Sequence, residues 1–205
     1  WKFFFKIFCD RPFELVEGYI EDSLDSYFSK LLHENQNKII IVDIMYNNLG
    51  MLTPMWRDIG REPFILEYAK KRSMRIIHLQ RSNLLDCYLS IKIAEASSLY
   101  HSTTGELNLD KCISININDL YIYLKLKLHT RKIVKKSLEM YHKSIELEYD
   151  QVFNNNMLTE HCASKISSIL NISKDALLQI KSVYNKTKLS KKDAISNFEE
   201  ASLAY

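Results

Sequence analysis

The sequence predicts an α/β fold built on a mainly parallel sheet. Three observations carry that expectation. Residues 38–45 and 74–80 are short apolar runs bounded by polar residues, the pattern of strands covered on both faces. Residues 83–98 follow the second run at once with broad apolar faces, giving a strand-then-helix unit. Residues 144–149 alternate apolar and polar, as a third strand would. Strands alternating with helices place a parallel sheet between helices. At 205 residues the chain reads as a single domain spanning residues 1–205, long enough to bury a substantial core.

In chain order, residues 1–8 fit a short helix or an apolar strand equally, and Asp10-Arg11-Pro12 breaks the chain. Residues 14–32 carry Leu15, Tyr19, Ile20, Leu24, Tyr27, Phe28 and Leu31 at helical spacing, so an amphipathic helix is expected. The run at 38–45 is expected to be a buried strand ended by Asn47-Asn48. Pro54 and Pro63 suit first turns of helices, and residues 64–71 are expected to be helical. A polar loop with room for a short strand spans 103–116. The longest helix is expected over 118–143 with Asn118 as its N-cap. Further helices are expected over 159–170, 174–184 and 193–203.

Composition excludes several functions. The chain has only 4 glycines, and Gly18, Gly50, Gly60 and Gly105 are too far apart for a dinucleotide fingerprint or a Walker A loop. A formal charge of +3 is too small to suggest a nucleic-acid binder. The basic clusters at 70–72, 125–136 and 181–192 read as solvated helix faces. The 4 cysteines form no CxxC pair and are expected to be reduced and mostly buried. The 6 histidines form no HxxxH or HExxH pattern, so no metal site is expected. No apolar run approaches the ~18 residues of a membrane helix. The apolar start is too short and too basic for a signal peptide, and the first residue is Trp1, so an upstream segment is expected.

The candidate chemistry lies where the second apolar run meets its helix. Ligands of open α/β sheets sit at the carboxyl ends of strands, facing a helix N-terminus. Arg81 stands at the strand end, and Ser82 or Asn83 caps the helix. Ser90 lies seven residues after Asn83, about two turns on and near the same face. An arginine fork and a serine hydroxyl together suit a phosphate. By spacing alone the pair reads as a surface arginine and a capping serine.

The wording of residues 77–94, Ile-His-Leu-Gln-Arg-Ser-Asn-Leu-Leu-Asp-Cys-Tyr-Leu-Ser-Ile-Lys-Ile-Ala, adds to this. It resembles the 3′-phosphate-binding strand and helix of the sulfotransferases that use 3′-phosphoadenosine 5′-phosphosulfate, most closely the bacterial nodulation and trehalose type. The likeness continues in order. Ile44-Met-Tyr-Asn-Asn-Leu49 resembles the family's second strand and its exit. Ile145-Glu-Leu-Glu-Tyr-Asp-Gln-Val152 resembles its "apolar-x-Tyr-Glu-x-Leu" strand, with Asp150 for the usual Glu. Residues 186–200 resemble the closing loop and the "Ile-x-Asn-Tyr/Phe-Glu-Glu" helix.

The resemblance implies a three-layer sandwich related to P-loop nucleotide kinases. It implies transfer of a sulfuryl group from 3′-phosphoadenosine 5′-phosphosulfate to a hydroxyl of a small molecule or glycan, without a metal. Arg81 and Ser90 would bind the donor's 3′-phosphate, and Lys186 and Thr187 would lie in the loop closing over the nucleotide. Pro12-Phe-Glu14 resembles the family's "Pro-x-Glu", which makes Glu14 the acceptor's base. Glu14 also fits a first-turn glutamate favoured by the helix dipole. His33 and His78 are lesser candidates for the base, and His78 inside a strand reads as a core or supporting histidine.

Departures accompany the likeness. The family's Ser/Thr/Gly-rich phosphosulfate loop would precede Trp1, and so would the first strand. Asp43 stands where relatives carry Lys, and Ser97-Ser-Leu-Tyr100 replaces their Thr-Gly-x-Trp. These departures keep open a second reading, a degenerate, non-catalytic relative that binds a partner. A phosphoryl-transfer enzyme of the same broad fold is a third. Nucleic acid and a membrane span are not expected as partners, a homo-oligomer is left open, and the cytoplasm is the default compartment unless an upstream anchor leads to the Golgi lumen.

Overall fold

The structure, a computed structural model, describes residues 16–36, 38–46, 49, 62–99, 112–182 and 190–205. Helix and a small parallel sheet are combined, so the chain is α/β at that level. It divides into two compact units, Trp1–Arg72 and Ser73–Tyr205.

The described part of the first unit is a pair of helices, α1 (Val16–Glu34) and α2 (Phe64–Lys71). The periodicity over 14–32 is met by α1 within the described residues, and the helix expected over 64–71 forms as α2. Ile20 and Leu24 of α1 and Phe64, Ile65 and Tyr68 of α2 are buried. Phe28 stacks on Tyr68 with ring centroids 6.0 Å apart. Polar groups then tie the helices. The Tyr68 hydroxyl donates to Asp25 Oδ1 at 2.6 Å, and Arg72 forks onto both Asp25 oxygens while its Nη1 reaches Glu21 at 2.8 Å. Lys71 Nζ also reaches Glu21 at 2.6 Å, and the Arg72 guanidinium lies 4.2 Å over the Tyr68 ring.

Residues 39–45 overturn the expectation of a buried strand. They form no ladder among the described residues, and Ile39, Ile41, Val42, Ile44 and Met45 are exposed, Ile41 to 78%. Apolar, β-branched composition favours extended backbone. Burial needs a neighbouring strand as well, and none of the described residues supplies it.

The second unit opens on β1 (Ile76–Gln80), then α3 (Leu84–Ser97), α4 (Ile117–Leu138) and β2 (Ser144–Glu148). Strands β1 and β2 pair in parallel, with Ile76 opposite Ser144 and Gln80 opposite Glu148. β1 is less buried than its composition suggests: His78 is buried, but Leu79 is exposed, and among the described residues one parallel neighbour covers only part of the strand. Helix α4 begins earlier than the sequence implies, since Asn116 and not Asn118 is the cap, its side chain accepting the N–H groups of Asn118 and Asp119. It also ends earlier, at Leu138.

Helices α3 and α4 share one core of Leu84, Leu85, Tyr88, Leu89, Ile93, Leu120 and Leu124, joined by Ile115, Ile195 and Ala201. Burying each such aliphatic side chain contributes about 1.5–3 kcal/mol. After β2 come α5 (Tyr149–Val152), the small hairpin β3 (Phe153–Asn154) and β4 (Met157–Leu158), α6 (Glu160–Leu170) and α7 (Lys174–Leu178). Their core is Leu147, Leu158, Cys162, Ala163 and Leu177. Helix α7 is shorter than expected. The expected last helix is broken into α8 (Lys191–Ala194) and α9 (Phe198–Ala204). The break has a cause: Asn197 donates to the Ile115 carbonyl at 2.9 Å and accepts its N–H at 2.8 Å, while Ile195 bridges Ile113 in parallel. Asn197, part of the "Ile-x-Asn-Phe" wording, thus clamps the closing segment to the entry of α4.

Candidate functional site

The site forms where β1 ends and α3 begins. Asn83 supplies the N-cap, its Oδ1 accepting the Asp86 N–H at 3.0 Å. The first turn of α3 therefore keeps a fixed direction and presents a partial positive charge. Arg81, half-buried at the strand end, lays its guanidinium 4.2 Å over the ring of Tyr149. That contact holds the guanidinium in place, which favours an anion able to take two parallel hydrogen bonds.

Arg131 of α4 joins from the side. Its Nη2 donates to the backbone carbonyl of Arg81, and its buried Nε has no hydrogen-bond partner among the described residues. Lys127, one turn earlier, lies 5.4 Å over the Tyr123 ring. Burial holds the Lys127 amine below its ordinary value, with a smaller opposing effect from Cys87. Burial pushes the Tyr123 hydroxyl up to about 12, Cys87 adding to the rise and Arg81 and Arg131 opposing it. Tyr123 is thus a neutral wall of this cationic corner, 5.1 Å from the Tyr88 ring.

Carboxylates answer part of this charge. Glu148, at the end of β2, accepts the Ser82 N–H at 2.5 Å and the Ser82 hydroxyl at 2.7 Å. Asp86 pairs with Lys191 of α8 at 2.7 Å. Ser90 does not share a partner with Arg81: its hydroxyl donates to the Asp86 carbonyl, one turn back on α3, at 2.7 Å. Arg81 and Ser90 thus belong to the same strand–helix unit but are engaged separately. Glu14, Lys186 and Thr187 lie outside the described residues.

His78 stands deeper along β1. It is buried, with Nδ1 3.3 Å from Glu146 Oε2, and burial holds its imidazole below the ordinary value against the pull of Glu146. That placement matches a supporting histidine. His33 is exposed in the last turn of α1, and Asp43 is exposed in the unpaired run. The cysteines differ from expectation: Cys162 is buried, Cys87 half-buried and Cys112 exposed with its thiol on the Asp193 carbonyl, while Cys9 lies outside the described residues.

Sequence reasoning missed Arg131, which it grouped with the solvated basic run at 125–136. The signal was present: Arg131 is seven residues from both Leu124 and Leu138, two turns each way, and so shares their buried face. Among the described residues no three His, Cys, Asp or Glu side chains gather as metal ligands. No known protein family, curated protein or solved structure matches the chain.

Proposed function

We propose that the chain is a sulfotransferase domain that takes 3′-phosphoadenosine 5′-phosphosulfate as donor and a carbohydrate-like hydroxyl as acceptor. The proposal includes the three-layer arrangement of P-loop nucleotide kinases. One observation carries it: Arg81 leaves the carboxyl end of a parallel strand with its guanidinium over the Tyr149 ring, directly before the Asn83-capped start of α3. The wording of residues 77–94 then supplies the donor's identity. Arg81 binds the 3′-phosphate in this reading, and Arg131 adds positive potential from α4. Ser90 turns its hydroxyl from the Asp86 carbonyl to the phosphate. Lys186 and Thr187 close over the nucleotide, and Glu14 takes the proton of the acceptor hydroxyl.

Thermal melting of the full chain with adenosine 3′,5′-bisphosphate tests this reading. At a hundred times Kd the ligand stabilises the folded chain by about 2.7 kcal/mol, and Arg81→Ala abolishes the shift. An equal shift in Arg81→Ala, or none in the wild type, overturns the assignment.

A second reading rests on Glu148. Its carboxylate already occupies the Ser82 N–H and hydroxyl beside the start of α3. A site filled by the protein's own anion suits a non-catalytic binding module. Transfer of radiolabelled sulfuryl from donor to an oligosaccharide separates the two, since only the enzyme yields product.

A further inference from the structure

Helix α4 has a second face that the core does not use. Between Asp119 and Glu139 the sequence holds no carboxylate, yet Lys125, Lys127, Arg131, Lys132, Lys135 and Lys136 all stand there. Arg131 turns inward with Leu120, Leu124, Val134 and Leu138. Lys125, His129, Lys132 and Lys136 face outward and are exposed. None of these three lysines forms an ion pair among the described residues.

At about 100° per residue the four outward basic side chains fall within an arc of roughly 60°. Ile122 and Leu126 flank that arc on one side, Tyr121 and Leu128 on the other. These four are large and apolar, and all stand in water: Tyr121 and Leu126 are 61% exposed, Ile122 and Leu128 55%. The face thus combines uncompensated positive charge with exposed aliphatic and aromatic side chains along a helix about 33 Å long.

We infer that this outward face of α4 docks on an anionic lipid surface. Lysines at the middle of the arc meet lipid phosphates, while Tyr121, Ile122, Leu126 and Leu128 on its two sides rest against the headgroup boundary. A soluble polyanion would pair the lysines but leave the aliphatic side chains in water. A second copy of the chain would set lysine against lysine. A lipid interface rewards both halves of the pattern along the whole length of the helix. The contact is peripheral, because no helix among the described residues is long and apolar enough to cross a membrane.

Co-sedimentation of the full chain with vesicles tests the inference. The chain pellets with phosphatidylcholine vesicles containing phosphatidylserine, stays in solution with pure phosphatidylcholine, and is released as salt rises. The Lys125→Gln/Lys132→Gln/Lys136→Gln variant loses about a hundredfold in partitioning, at about fivefold per lysine. The Ile122→Gln/Leu126→Gln/Leu128→Gln variant loses at least about tenfold. Both retain the wild-type melting temperature, because every substituted side chain is exposed. Equal retention on pure phosphatidylcholine, or wild-type partitioning by both variants, overturns the inference. Loss only in the lysine variant, with equal capture on heparin, overturns it in favour of a soluble polyanion. Capture by a polyglutamate peptide without vesicle binding overturns it in favour of an acidic protein.

Discussion

The helix pair α1–α2 and the strand–helix unit β1–α3 use charge in opposite ways. In the pair, Arg72 and Lys71 are matched by Asp25 and Glu21, and the Tyr68 hydroxyl completes the mesh. Arg72 holds the Asp25 carboxyl below its usual range, and Lys71, then Arg72, do the same for Glu21. Around β1–α3, Arg81 lies over the Tyr149 ring and Arg131 donates to the Arg81 backbone carbonyl. Nearby Glu148 is taken by Ser82. The difference teaches that matched charges join elements, whereas cations held by rings and carbonyls keep attraction for an anion from outside. Between α3 and α4, apolar packing is then the main source of stability.

The largest test of that contrast is Leu89→Ala. Leu89 is fully buried between α3 and α4, and truncating it leaves a cavity costing about 3 kcal/mol. Chemical denaturation of the purified chain measures the loss; a cost below about 1 kcal/mol would break the view that aliphatic packing carries this unit. Next come the helix starts. Asn83→Ala and Asn116→Ala each cost about 1 kcal/mol, read by the same denaturation, with Gly at either position restoring most of it.

The smallest effect is in pH. Burial holds His78 below its ordinary 6.5, so the unfolded chain takes up a proton that the folded chain refuses. That contribution is present above pH 6.5 and declines as pH falls below it. Asp25 and Glu21 have lowered values, so theirs is present above 3.8 and 4.5 and is lost only on further acidification through those lowered values. Melting temperatures across pH should show two windows. His78→Gln flattens the first, and Arg72→Met flattens the second. A single window unaffected by either variant would merge what the comparison separates.

Much of the second unit was legible because its signals are local. The apolar periodicity of residues 83–98 and a cap residue before it fix α3 without reference to the rest of the chain. The helix expected over 159–170 likewise forms as α6, within one residue of the expected bounds. Residues 38–45 failed because their apolar run specifies an extended backbone but no partner, and a strand is a relation between two segments. The start of α4 failed by two residues because Asn116 and Asn118 both suit a cap. The side-chain bonds to Asn118 and Asp119 decide for the earlier one. At the candidate site, Arg81 and Asn83 were legible from their place at a strand–helix junction. Arg131, Tyr149 and Glu148 come from elements far along the chain, and only the parallel pairing of β1 with β2 and the packing of α4 bring them there.

The exposed run at residues 39–45 has a consequence for handling the protein. Ile39-Ile-Ile-Val42 is a short β-prone stretch that joins no ladder among the described residues, the composition that seeds cross-β stacking between molecules. Asp43 interrupts it with an exposed negative charge. Stacked copies would bring these carboxylates about 4.8 Å apart, a repulsion that opposes fibril growth. The exposed charge of Asp43 thus opposes stacking of the run it adjoins.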